Sequence, residues 1–534
     1  MRPRSFAALF VLVTLLWAGP ALAQQPSARE KLGTVHFKVS CSPPAQAQFD
    51  RAVALLHSFA YADARKAFSG VAETDPSCAM AHWGTAMVSL GNPLVGAQPP
   101  EALKAGLEAA QRAKAAGPKT PRERDWIAAI ETFYKDHDKV DHRTRSLAYE
   151  KAMEALAARY PEDREASVFY ALALNMTAPP TDKTYANQLK AAGILEKVFV
   201  EQSNHPGVAH YLIHSYDYPA IAAKGLTAAR RYASIAPAAP HALHMPSHVF
   251  TRVGSWQESI DSNLSSAAVG DQPQRLHAQD YMVYGYLQQA QDGEAKRVVE
   301  DIRRVTQVNM KHPVVFAAGY GLTAIPARYA LERGRWAEAA ALTLPTAEFD
   351  WKRFPQAEAV TVFARGLGAA RSGNAAGARK EIERLQELHT ALVAAKQAYW
   401  AEQVEIQGRI VAAWVARAEG KVDEALQTMR AAADAADLTE KHIVSPGPLV
   451  PARELLGEML LEAKRPAEAL KEFEASQKKE PNRFRGFYGA ARAAEMAGDR
   501  DKAARNYREL LALSQRADAE RPEIQQAKAF LARK

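Results

Sequence analysis

One phrase recurs along this chain and constrains its fold more than any single residue does. Residues 455–481 read LLGEMLLEAKRPAEALKEFEASQKKEP, and residues 487–511 read FYGAARAAEMAGDRDKAARNYRELL. Earlier versions are LLHSFAYADARKAFSGVAETDP (55–76), FTRVGSWQESIDSN (250–263), ALERGRWAEAAAL (330–342) and WVARAEGKVDEAL (414–426). Alanine-rich segments with apolar residues three and four apart dominate the chain, separated by Gly, Asp, Asn and Pro. That is the period of a helix, twice, with a turn between. Strand-like alternation is rare and β-branched residues are sparse, so the chain reads as all-α.

The phrase resembles the tetratricopeptide repeat, a helix–turn–helix unit of about 34 residues. In that family a small residue stands at position 8, Ala at 20, an aromatic at 24 and Pro at 32. Gly457, Ala469, Phe473 and Pro481 fill those places; Ala491, Ala503 and Tyr507 follow in the next unit, and Ala64, Phe68 and Pro76 in the first. The resemblance spans most of residues 45–520 and degenerates over 110–200 and 300–400. It implies a right-handed α-solenoid, because one hairpin cannot bury its apolar faces alone and neighbours must stack. The inner helices would then line a concave groove. The expected organisation is a leader at 1–23, an extension at 24–44, one array over 45–300 and a second over 301–534.

Residues 1–23 read as a cleaved export signal: Arg2 and Arg4, an apolar run from Phe6 to Trp17, and Ala21-Leu22-Ala23. The mature chain is expected to be periplasmic or secreted, without a membrane span. In an oxidising compartment Cys41 and Cys78 are expected to pair and clip the first hairpin. Removing two arginines from a formal charge of +8 leaves +6 on the mature chain, mild and well mixed. No basic stripe interleaved with aromatics appears, so nucleic acid is not an expected partner.

Six of the 15 histidines crowd into HPGVAHYLIHSYD (205–217) and PHALHMPSHVF (240–250). Ala209, Leu212, Ile213 and Tyr216 take packing positions, which puts His210, His214 and Asp217 on the other face. In the next unit Leu243, Pro246, Ser247 and Phe250 pack, which frees His241, His244, His248 and Arg252. Counting back from Ala295 assigns His277, Asp280 and Tyr284 to the same face of the third unit. The family resemblance implies that this face lines the groove. His pairs at i, i+4 present both rings on one side of a helix.

Such a cluster suits a transition metal, zinc or copper, with His210, His214, His244, His248, Asp217 and Asp280 as ligands. His241, Arg252, His277 and Tyr284 would then line the ligand-binding groove, with Arg328 beside Arg252 as a second anion-holding cation. The other reading is a polar groove that grips a protein or peptide partner, the usual work of this fold. A metal-dependent enzyme is a third. The zinc-protease signature is absent, since Tyr211-Leu212-Ile213 and Met245-Pro246-Ser247 stand inside the pairs without the required Glu. His57 is expected to face the groove from the first unit, His82 to pack structurally, and His442 to sit in a solvated loop.

Overall fold

The computed structural model describes residues 31–533; the expected leader lies outside the described residues. Helices run in antiparallel hairpins from Pro43–His57 to Pro522–Ala532, and the described residues contain no strand, only an isolated bridge between Gln307 and Glu348. None of the described helices is long and apolar enough to cross a membrane. The molecule is an all-α solenoid.

The repeated phrase explains the stacking. After the helix Ala452–Glu462, Lys464 turns with φ 59° and the Arg465 amide bonds back to the Leu460 carbonyl at 2.9 Å. Pro466 then opens the helix Pro466–Lys479, where its missing N–H costs nothing. The ring of Phe473 fits between two helices because both are bare beneath it. A Cβ on Gly457 would lie 2.7 Å from that ring, and one on Gly489 would lie 2.2 Å away. Phe68 does the same against Gly84 at the other end of the chain. Hairpins persist where the phrase degenerates, as in His142–Arg159 with Arg164–Thr177 and in Ala375–Ala394 with Ala398–Ala418. Apolar periodicity suffices there without the consensus residues.

Cys41 and Cys78 are bonded, with Cα atoms 5.0 Å apart. The bridge ties the chain just ahead of Pro43–His57 to the start of Ala79–Leu90, at the end of the first hairpin opposite its turn.

The groove departs from expectation. At the histidine patch the concave side is filled by the chain itself, through a strap over residues 440–451. Lys441 reaches Asp217 at 3.1 Å, the Ile443 carbonyl accepts from the Tyr281 hydroxyl at 3.2 Å, and Arg328 donates to Ser445, Gly447 and Pro448. The part that meets Arg328 reads Ser445-Pro446-Gly447-Pro448 and is not helical, so its carbonyls are free to take the arginine's donors. Arg483 adds a second tie between the halves, donating to Tyr284 at 2.7 Å and to Glu454 at 2.7 Å. The patch is an interior.

Candidate metal centre

Four helical segments supply the histidines. Pro206–Tyr216 carries His210 and His214; Pro240–His244 carries His241 and His244; Pro246–Val253 carries His248; Gln272–Gln288 carries His277. The second and third segments are nearly one helix. Pro246 lacks an N–H, so the Ala242 carbonyl loses its partner and the turn tightens at Met245 without leaving the helical region.

The rings sort into two trios. In one, the Nε2 atoms of His214 and His241 each lie 3.1 Å from His210 Nε2. In the other, His244 Nε2 lies 3.1 Å from His248 Nε2, and a nitrogen of His277 completes the set within 4.8 Å. The trios adjoin. Ring centroids are 6.2 Å apart between His214 and His248 and 6.3 Å apart between His241 and His244. His210, His214, His244 and His248 are buried, while His241 and His277 keep partial exposure. Phe59 closes one side, 4.4 Å from the His210 ring and stacked on His241 at 5.6 Å.

The outward nitrogens are held by acceptors. His210 Nδ1 donates to the His57 carbonyl at 2.6 Å, His244 Nδ1 to Asn263 Oδ1 at 2.7 Å, and His248 Nδ1 to Asp217 Oδ2 at 2.9 Å. Asn263 cannot be turned round, because its amide nitrogen donates to the Ser259 carbonyl at 2.8 Å. With Nδ1 protonated in each neutral ring, Nε2 carries a lone pair. The lone pairs of His244 and His248 therefore face one another at 3.1 Å with no hydrogen between them. The single lone pair of His210 faces two nitrogens at that distance. Both arrangements want a cation in the middle. Burial disfavours a proton as that cation: it lowers His210, His214, His241 and His244 well below the usual imidazole range, with neighbouring rings adding to it. It lowers His248 against the pull of Asp217 and takes His277 to about 3.

Several expectations need correcting. Asp217 is a support and not a ligand: it holds His248, Arg252 Nε at 2.9 Å and Lys441 at 3.1 Å. Burial pushes its carboxyl up, but Lys441, Arg252 and His248 outweigh that and hold it well below the carboxylate range. Asp280 is spent on Arg328, 2.7 Å away, and belongs to neither trio. Arg252 and Arg328, expected to hold a ligand's carboxylate, are instead paired internally, Arg252 with Asp217 and Arg328 with Asp280 and the strap. His241 and His277, placed in the ligand-binding set, belong to the trios. Tyr284 lies away from them, 4.9 Å below the Arg328 guanidinium and bonded to Arg483. The residue at the centre is Tyr281, its hydroxyl 3.3 Å from His248 Nε2. The third unit's register is shifted: His277 and Tyr281 repeat the i, i+4 pair. Gln272–Gln288 is buried around most of its circumference, so polarity does not mark its inner face.

A third cluster, His57 with Glu165 and His205, differs in kind. His205 Nδ1 accepts the Val208 amide, so its Nε2 donates to Glu165 at 2.8 Å. His57 Nε2 donates to Glu165 at 2.9 Å, and its Nδ1 accepts from Tyr211 at 3.0 Å. Every lone pair has a hydrogen, so the cluster needs no ion. It anchors His57, whose carbonyl orients His210. His442, expected in a solvated loop, packs 4.8 Å from Trp400 in the strap, where burial lowers it to about 4. Asn263, Glu165, Lys441 and the His57 carbonyl escaped the sequence reading, because each acts from a different unit of the array.

No family model and no curated protein matches the chain. Solved structures similar to it include Naa15/Naa10 bound to HypK-THB (10% identity, TM-score 0.25, covering 92% of this chain and 73% of that one). Yeast Tom70 (13%, 0.28, 91% and 95%) and the Cut9–Hcn1 hetero-tetramer of APC/C (12%, 0.31, 92% and 90%) are others. At such scores the likeness carries no weight for function.

Proposed function

We propose that this chain is an exported helical-repeat protein that holds two transition-metal ions, one on His210, His214 and His241 and one on His244, His248 and His277. The observation behind the reading is the pair of facing lone pairs on His244 and His248, whose outward protons are committed to Asn263 and Asp217. Donors 3.1 Å apart straddle an ion bound at about 2.0–2.1 Å, the distance imidazole takes to zinc. Acceptors on the far nitrogens are how proteins orient histidine ligands. Three protein ligands leave a coordination position open, which is the construction of a reactive ion and not of a structural clip. The metal-dependent enzyme reading gains from this at the expense of a groove that grips a peptide, since the strap covers the centre. Zinc and copper both suit imidazole.

Metal analysis of the purified chain tests the reading. After stripping and reloading with zinc or copper, the protein should hold two equivalents. His210→Ala and His244→Ala should each remove one, and the double variant both. A folded protein that takes up neither metal would sink the reading.

A further inference from the structure

The two trios differ from most paired-metal sites in one respect: all six ligands are neutral. Among the described residues no carboxylate joins either trio. Asp217, the carboxylate that orients His248, is already committed to two buried cations, Arg252 and Lys441, so it does little to offset an incoming ion. Two divalent ions would bring four positive charges into a space whose walls supply none in return. Uncompensated buried charge is expensive. The centre therefore favours either monovalent ions or ions that share an anionic bridge.

One chemistry meets both conditions. Two cuprous ions carry a total charge of +2. When dioxygen adds across them, each copper gives up one electron, the pair becomes cupric, and the O–O unit becomes peroxide bound to both. The charge of the whole unit stays +2. No proton has to enter or leave, and the buried site sees no change in net charge. The arrangement suits such a bridge: the trios adjoin across 6.2 and 6.3 Å between ring centroids, which makes two ions held on them neighbours. Phe59 presents an apolar face on one side, and only the partly exposed His241 and His277 face outward. Zinc, without an accessible second oxidation state, cannot do this chemistry.

We infer that the centre is a dicopper site that binds dioxygen as a peroxide bridging both ions. The inference rests on the two-ion reading above. It is tested on the stripped full-length chain, loaded anaerobically with two equivalents of copper kept cuprous by ascorbate, then exposed to dioxygen. The expected result is a near-ultraviolet charge-transfer band of copper-bound peroxide, with the cupric pair silent in electron paramagnetic resonance. Purging the dioxygen should reverse the band. His277→Ala, at a partly exposed position, should still bind one copper and lose the band; His241→Ala gives the same test from the other trio if that variant misfolds. Two bound coppers that oxidise to separate, paramagnetic cupric ions without a band would overturn the dioxygen inference and leave the two-ion centre standing. So would a protein that holds two zinc ions and refuses copper. Uptake of no metal would overturn both.

Discussion

Asp217 accepts the Nδ1 hydrogen of His248 at 2.9 Å, and this turns the Nε2 lone pair of the ring toward His244. The same carboxylate faces Arg252 and Lys441. Asp217→Asn keeps the shape and removes the charge, so two effects should separate. Ion affinity at the His244 trio should fall about 10–100-fold, as for other lost ligand-orienting partners. Stability should drop by about 3–5 kcal/mol, because two buried cations lose their counter-charge. Chelator competition reads the first and urea unfolding the second. Unchanged affinity would mean that Asp217 does not orient the ligand.

Gly207 bears on the other trio. A Cβ there would lie 2.3 Å from His57 Nδ1, and the His57 carbonyl is what holds His210. Gly207→Ala should force His57 aside, costing about 1–3 kcal/mol as overpacked cores do. Copper or zinc titration should show weakened uptake at one equivalent only. Equal weakening of both equivalents would argue that the trios are not separate sites.

How far the sequence could lead is visible in these residues. The hairpins were legible because packing repeats locally: Phe473 needs Gly457, and both sit in one phrase. The His210–His214 and His244–His248 pairs were legible because helix geometry alone puts them on one face. The assignment of Asp217 and Asp280 as ligands failed because a carboxylate's partner depends on which cation arrives from another hairpin, and Lys441 comes from 224 residues away. Tyr284 and not Tyr281 falls on the inner face when the register is counted back from Ala295, because the helix has no polar stripe to correct that count. The closed groove could not be read at all: a Pro- and Gly-rich loop looks the same whether it meets water or Arg328.

Arg328 anchors the strap with three hydrogen bonds, gives a fourth to Asp280, and is fully buried. Arg328→Met leaves Asp280 without its cation and the strap without its clamp. Stability should fall by about 3–5 kcal/mol, and amide hydrogen exchange should rise over residues 440–451 before it rises in the flanking helices. Uniform exchange across the chain would show that the strap has no independent opening.

The Cys41–Cys78 bridge should matter to stability and not to metal. It closes a loop with a sequence separation of 37 residues, for which chain entropy predicts about 3–4 kcal/mol. A Cys41→Ser, Cys78→Ser variant should unfold at lower urea while still holding two ions, measured by metal analysis of the folded fraction. Loss of the ions in a folded variant would tie the bridge to the centre, against expectation.

Acid should unfold this protein earlier than its carboxylates alone would require. In the unfolded chain the histidines titrate near 6.5; in the folded chain burial holds His277 at about 3 and His442 at about 4, and the other five lower than in water. As pH falls below 6.5 the unfolded state takes up protons that the folded state refuses. The stability is therefore intact above that pH and is lost on the way down toward 4. Each such imidazole contributes a slope of about 1.4 kcal/mol per pH unit over its window. Bound metal stabilises only the folded chain, so loading should move the loss to lower pH. Urea midpoints measured from pH 7.5 to 4.5, with and without metal, check this. A flat profile for the metal-free chain would mean that the imidazoles are solvated, and the buried centre would fall with that result.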